Sequence, residues 1–518
     1  MSNELQRELA KRRTFAIISH PDAGKTTITE KLLLLGGAIK LSGTVKAKKS
    51  KLYARSDWME IEKKRGISVT SSVLKFSYHG FEVNLIDTPG HQDFSEDTYR
   101  TLTAVDSVLM LIDAASGVEE QTKKLFHVCR MQKTPVVAFV NKMDREGRDP
   151  YELMDDIEKE LGIQCSPVTW PTGSGSRFMG VYHRWQKTMY TFDGANQPQK
   201  ARISPDFQED LELLDGAGVP FSREGFLKSE IAPVFFGSAI TGFGVDLMLN
   251  SLLDIAPPPQ PRKAIERVVS GDEETFSAFI FKIQANMDPA HRDRVGFMRI
   301  CSGIFTRDMK VHVVRLNRDI RLGRPTKFVA KDRALIDRAY PGDIVGVHDP
   351  GLFAIGDTLT EGEKLHFQGI PVFAPEHFAS LKLQDPLKNK QLLNGLEQLS
   401  EEGAIQMFHK AHGNRIDVGA VGILQFDVVK FRLEAEYGVA VEWQKMPYSV
   451  ARWIIANEQS ILDAFQQDQV ESIFYDRFHQ PVILMDSMWR LELFEKRYPN
   501  ITFKATSETL SKKRRKRR

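Results

Sequence analysis

The chain has 518 residues, 42% hydrophobic and 27% charged, the balance of a water-soluble globular protein with length for two to four domains. Its formal net charge is +3, but the last seven residues, Lys512 to Arg518, carry +7 and leave −4 on the rest, which excludes a generally basic, polyanion-binding body. Three dispersed cysteines (Cys129, Cys165, Cys301) exclude a disulfide framework, argue against a zinc knuckle and suit a reducing cytoplasm; the apolar run near the charged N-terminus is too short for a signal peptide, and no run has the length of a membrane span.

In chain order, residues 14–19 predict a short buried strand. His20-Pro21-Asp22-Ala23-Gly24 is turn-prone, and a helix follows through Leu32 to Leu35 until Gly36-Gly37 ends it. Strand, phosphate-sized loop and helix are the parts of a P-loop. Backbone N–H groups of residues Ser19 to Thr27 would cradle phosphates at a helix N-terminus. Lys25 would reach the β- and γ-phosphates, and Thr26 would offer a hydroxyl to Mg2+. Ser19 replaces the first glycine of the motif and must fit without a positive φ.

Residues 38–64 read as a polar, partly basic connection (Lys46, Lys48, Lys49, Lys51), whose plain reading is a solvated loop. Arg65-Gly66-Ile67-Ser68 then leads to a strand over 69–78, and the Ser68 hydroxyl is placed to close over a nucleotide by ligating Mg2+. A second buried strand, 81–87, ends in Asp87, followed by Thr88-Pro89-Gly90-His91. Asp87 can hold Mg2+ through water, the Gly90 N–H can reach a γ-phosphate, and His91 is placed for the in-line water.

A helix over 93–104, a strand over 107–113, a helix over 118–131 and a strand over 135–140 bring the chain to Asn141-Lys142-Met143-Asp144. The Asp144 carboxylate can accept from guanine N1–H and the 2-amino group, donors that adenine lacks. Asn141 would tie loops together and the Lys142 stem would cover the base. After a helix over 151–161, residues 162–230 are expected as an inserted subdomain with a hairpin over 178–192 and two short helices. The alternation resumes with a strand at 232–236, Gly237-Ser238-Ala239 and a helix over 243–255; Ser238 and Ala239 can present backbone groups to guanine O6.

The run Pro257-Pro258-Pro259-Gln260-Pro261 is a stiff linker. Short strands at 276–284, 295–301, 309–314 and 344–347, punctuated by glycines, predict a small β-barrel. A third unit opens near 378: strand 378–383, helix 386–401, strand 418–426, helix 427–437 and strand 439–443, a ferredoxin-like α/β pattern whose continuation to 503 is not readable. The expected domains are therefore 1–258, 259–375 and 376–505, with a basic tail over 506–518. Trp58, Met59, Trp453 and Trp489 are read as core or domain-contact residues; the tail is read as a disordered, solubilising end ahead of the alternative, salt-screened attraction to phosphates.

With these motifs in order on one α/β scaffold and a barrel after it, the chain resembles the translational GTPases. Within them, Ser19 to Thr27, Ser56-Asp57-Trp58-Met59-Glu60, Arg65 to Ser68, Phe94 to Arg100, Phe281 to Pro289 and Gly419 to Asp427 resemble the bacterial class II peptide-chain release factors, the release factor 3 family. The likeness spans the chain except the tail, and Ser19 and Ser68 look like this branch's own form of the motifs.

The resemblance implies a P-loop GTPase domain with a mostly parallel sheet, a β-barrel and an α/β third domain. It implies GTP/GDP and Mg2+ as ligands, the ribosome and class I release factors as partners, no DNA or membrane, and a monomer. Lys25, Asp87 and His91 would be catalytic, and Thr26, Ser68 and Asp87 would serve the metal. A translocase would need further C-terminal domains, and an aminoacyl-tRNA carrier would show a second barrel where 386–437 reads α/β. A GTP-controlled binding module with incidental hydrolysis is the other alternative.

Overall fold

Continuous runs of apolar residues in the first domain require strands covered on both faces, and the chain supplies helices for both. The computed structural model describes residues 3–39, 69–191, 199–201, 205–285, 294–323, 325–329, 332–368, 370–411 and 415–508. After helix α1 (Asn3–Lys11), the strands are β1 (Arg12–Ser19), β2 (Ser72–Tyr78), β3 (Phe81–Asp87), β4 (Ser107–Asp113), β5 (Val136–Asn141) and β6 (Gln164–Pro167). Between them run α2 (Lys25–Leu35), α3 (Ser95–Leu102, after a 3-10 turn Gln92–Phe94), α4 (Glu120–Gln132) and α5 (Pro150–Leu161).

Strands β7 (Thr169–Thr172), β8 (Gly180–His183), β9 (Thr188–Thr191) and β10 (Gln199–Ala201) form a separate four-stranded sheet, followed by α6 (Pro205–Ala217) and α7 (Arg223–Leu227). The chain returns with β11 (Ile231–Phe236) and α8 (Val245–Ile255). The main sheet has the order β2-β3-β1-β4-β5-β11-β6, parallel except for β2. Residues 162–230 are therefore not wholly an insertion. Their first strand, β6, joins the edge of the main sheet parallel to β11 before the chain departs into the smaller one.

Alternation along β1 assigns the two faces. Phe15 and Ile17 join a core with Leu32 of α2 and Leu249 and Leu252 of α8. Ala16 and Ile18 join the opposite core with Leu125 of α4 and Ile157 of α5. Each fully buried Leu, Ile or Phe contributes about 1.5–3 kcal/mol. This double-sided layer fixes the carboxyl ends of β1, β3, β4, β5 and β11 along one rim, where loops can bind a ligand.

Beyond the proline linker, an antiparallel sheet contains strands Ser277–Ala285, Arg294–Ser302, Lys310–Val313, Arg318–Arg321, Thr326–Val329, Asp332–Leu335, Ile344–His348 and Thr358–Thr360. Phe276, Ile280, Met298, Val313, Val345 and Leu359 from distant strands share one core, so the sheet curls on itself as a barrel does. Its docking to the first domain combines apolar packing, with Phe281 and Phe297 in one core with first-domain residues such as Leu102 and Val105, and a buried ionic cluster. Asp343 accepts from Arg12 of β1 (2.9 Å), Lys75 of β2 (2.6 Å) and Asn84 of β3 (3.2 Å). Burial alone would raise the Asp343 carboxyl, but Lys75 and Arg12 outweigh it and hold it well below the usual carboxylate range.

The third domain holds two copies of one motif. Its first half is strand His377–Leu383, helix α9 (Asn389–Glu401), strands Gln406–Lys410 and Ile416–Ala420, helix α10 (Ile423–Tyr437) and strand Val441–Lys445. The second half is strand Val450–Ala456, helix α11 (Gln459–Asp468), strands Ile473–Tyr475 and Pro481–Met485, helix α12 (Met488–Arg497) and strand Ile501–Lys504. Each half is a βαββαβ unit with its first and third strands central, and the halves fuse into one eight-stranded sheet where His409 pairs with Tyr475.

Two sequence expectations change here. Residues 423–426 start α10 rather than extend a strand, because Gly422 caps a helix that begins at Ile423. Trp453 is buried, its indole N–H donating to Asp476 at 3.0 Å, but Trp489 is 69% exposed because Leu491 and Phe494 take the inner face of α12. Trp58 and Met59 lie outside the described residues. Among the described residues, no helix is long and apolar enough to cross a membrane.

Candidate active site

The loop from Ser19 to Gly24 turns sharply at the rim of the sheet. Asp22 and Gly24 have left-handed backbone, φ 65° and 92°, and Gly24 is the N-cap of α2 without any side-chain cap. The first turn of α2, with Thr26 and Thr27 half-buried on it, thus keeps its dipole end facing the loop. Only glycine fits position 24, since a Cβ there would lie 2.4 Å from Asn141 Nδ2. Ser19 is fully buried, is absent from the positive-φ residues, and donates its hydroxyl to the His20 carbonyl at 2.8 Å. His20 is buried beside Glu119 (Nε2 to Oε1, 3.3 Å), and burial lowers its imidazole below the ordinary value.

Asp87, at the carboxyl end of β3, holds Lys25 by an ion pair of 3.0 Å from Oδ1 to Nζ; both groups are buried. Its second oxygen, Oδ2, is buried without a hydrogen-bond partner in the protein. An orphaned carboxylate oxygen beside a buried ammonium, at a helix N-terminus, fits a cation with a bound polyphosphate, which would also claim Lys25. Thr88 donates to the Ile17 carbonyl (2.6 Å) and the Pro89 carbonyl accepts from Thr98 (3.3 Å), so the turn after β3 is tied to β1 and α3. Gly90 lies against the P-loop, where an added Cβ would meet the His20 carbonyl at 3.5 Å. His91, partly exposed, caps the next turn: its Nδ1 accepts from the Asp93 N–H at 3.2 Å.

The residues expected to read the base interlock. Asn141 donates from Nδ2 to the Ala23 carbonyl (2.7 Å) and accepts at Oδ1 from the Ala239 N–H (2.8 Å), tying the P-loop to the loop after β11. Ser238 donates to Asp144 Oδ1 at 2.5 Å, and Met143 N–H donates to the Gly237 carbonyl at 3.1 Å. Lys142 sits in left-handed backbone (φ 68°) with its ammonium 2.6 Å from Asp113. Burial would raise Asp113, but hydrogen bonds from Lys142 and the Ala115 N–H keep its carboxyl below the ordinary range.

The residues expected for phosphate and base therefore converge on one rim, apart from Ser68, which lies outside the described residues. Sequence reading passes over Asp113, Glu119 and Asp93. Asp113 has a usable signal, since it ends a buried parallel strand just as Asp87 does.

Three family models match successive parts of the chain: the elongation factor Tu GTP binding domain over residues 10–258, elongation factor G domain 2 over 275–362, and the C-terminal domain of class II release factor RF3 over 367–495. A crystal structure of a Thermus thermophilus protein is similar in fold, with a TM-score of 0.72 at 23% identity, covering 87% of this chain and 71% of that one. With a GTP-binding domain, the factor-type barrel and a release-factor C-terminal domain in this order, the chain belongs to the class II release factors of the translational GTPases.

Proposed function

We propose that this GTPase is stimulated by the ribosome and uses one round of GTP binding and hydrolysis to drive a class I release factor off after peptide release. The reading rests on a release-factor C-terminal domain following a GTPase domain in which Gly90 is packed against the P-loop and His91 comes next.

In the hydrolysis step, Lys25 leaves Asp87 for the β- and γ-phosphates and spreads positive charge over the oxygens as the bond to the leaving phosphate lengthens. Thr26, Ser68 and Asp87 would hold Mg2+, Asp87 through water; when bound, the ion neutralises charge between the phosphates. The Gly90 N–H steadies the γ-phosphate, and His91 orients the attacking water. Asp144 selects guanine, with Asn141 and Lys142 framing the base and Ser238 and Ala239 lining its O6 edge.

No arginine is assigned to the transferred phosphate, so turnover of the free protein is slow until the ribosome completes the site. Phosphate release from GTP, measured with and without ribosomes carrying a bound class I release factor and scored alongside factor dissociation, tests the proposal. Stimulated hydrolysis with coincident factor release is expected. Factor release at full rate with a non-hydrolysable analogue, and no stimulation, would instead favour a GTP-controlled binding module.

A further inference from the structure

Helix α3, directly after the His91 turn, is gripped from outside its own domain. Arg100 donates to the Gly403 carbonyl at 3.2 Å, Tyr99 packs on Phe373 with ring centroids 4.7 Å apart, and Lys282 of the barrel lies 3.5 Å from Asp97. The most telling grip is at Asp93. Its Oδ1 lies 3.3 Å from His91 Nδ1, and its Oδ2 accepts from the backbone N–H of Leu424 at 2.7 Å.

Leu424 belongs to the first turn of α10, where N–H groups lack partners within the helix. A Ser, Thr or Asp at the cap position usually supplies the missing acceptor, but here the cap is Gly422. Gln425 reaches back to the N–H groups of Val421 (2.7 Å) and Gly422 (3.1 Å), and Asp93, 331 residues before Leu424, accepts from the Leu424 N–H. The backbone at Gly422 is ordinary extended chain, φ −130° and ψ 157°, so conformation does not demand glycine there. Space does: a Cβ would lie 2.2 Å from Asp93 Cγ and 2.3 Å from its Cα. Around this point Leu424, Val428 and Phe431 of α10 pack with Phe94 and with Val69, where the described chain resumes before β2.

We infer that Asp93 and the N-terminus of α10 form a latch through which the third domain sets the nucleotide preference of the first. Seated, the latch restrains the 90–94 turn, so that Gly90, already against the P-loop, cannot readjust to make room for and bond a γ-phosphate, which favours the diphosphate. Released, the turn is free to adjust to the triphosphate. The inference rests on the placing of Gly90 and His91 at the γ-phosphate end of the site. Because coupling between two equilibria is reciprocal, a lesion in the third domain must change nucleotide preference even though it touches no nucleotide.

The experiment measures dissociation constants of the full-length protein for fluorescent GDP and a fluorescent β,γ-imido GTP analogue, without ribosomes. Gly422→Ala, a steric wedge, and Asp93→Ala, which removes the acceptor, should each shift the ratio of the two constants toward the triphosphate by about fivefold or more. A ratio within about twofold of the parent, or a shift toward GDP, overturns the latch. Should Gly422→Ala fail to fold, Asp93→Ala decides alone, with faster amide exchange at residues 423–426 as its structural readout. If the parent protein binds neither nucleotide, the site assignment itself is wrong; if it binds both and only the ratio stays fixed, the site stands and the latch falls.

Discussion

The two ends of the nucleotide rim are built differently. At the base end every tie lies inside the first domain: Asn141 to Ala23 and Ala239, Ser238 to Asp144, Lys142 to Asp113. At the phosphate end, the turn after β3 and helix α3 are held by the other two domains through Leu424, Gly403, Phe373 and Lys282. A pocket held only from within keeps its shape whatever the domains do. The phosphate end has internal ties too, but it is also held from without, so on the proposed assignments base recognition would stay constant while the response to a third phosphate would depend on domain arrangement.

The sharpest test of this contrast is His91→Ala, which should lower ribosome-stimulated turnover by about 10^3-fold while leaving guanine nucleotide affinity intact in equilibrium binding. Unchanged turnover would remove His91 from the mechanism.

Next in size is Asp343→Asn, which leaves Arg12 at the start of β1 and Lys75 in the middle of β2 facing a neutral partner. Breaking a buried ion pair on one side costs about 3–5 kcal/mol, read as a fall in the thermal or denaturant midpoint. The folded Asp343 carboxyl lies below its unfolded value, so its contribution is complete above the unfolded pKa of about 3.9 and fades as pH falls through the lower folded value. The parent should therefore show an acid-limb loss of stability below about pH 4 that is shallower in the variant. Equal slopes would mean the cluster does not carry the interface.

Asp144→Asn probes the internally built end. Losing two hydrogen bonds to a charged acceptor, about 1.5 kcal/mol each, should weaken GTP on the order of a hundredfold and transfer preference to xanthosine nucleotides. This loss should be the same with the third domain latched or wedged by Gly422→Ala. A strong dependence on the wedge would erase the contrast between the two ends. Smallest of all, Trp489→Ala on the exposed face of α12 should change folding stability by no more than about 0.5 kcal/mol in denaturant titration.

Much of the first domain can be read from residue order because its parallel strands are covered on both faces and appear as unbroken apolar runs. Asp87 and Asn141, proposed for the metal's water shell and the loops around the base, sit where those runs stop. The second half of the third domain resists reading for the opposite reason. Its strand Ile473–Tyr475 has only three residues, too few to show an alternation, and besides its hairpin with Pro481–Met485 it pairs with Gln406–Lys410, more than sixty positions earlier. Residue pattern alone starts helix α10 four residues late, because Gly422 and Ile423 look like strand when the acceptor completing the cap lies in another domain. The Asp93–Leu424 contact has no sequence signature at all, being made by the packing of two domains.

The fusion of the two βαββαβ halves has a mechanical consequence. Eight strands spaced about 4.8 Å apart make a continuous plank roughly 35 Å across, with α10 under one half and the Trp489 face of α12 on the other. The halves are joined by the short pairing at His409–Tyr475 and by a shared core of Phe378, Phe408, Trp453 and Phe474; if this junction holds them as one body, a tilt of about 10° at the nucleotide end would carry the far edge through ~6 Å, a displacement large enough for a neighbouring macromolecule to feel.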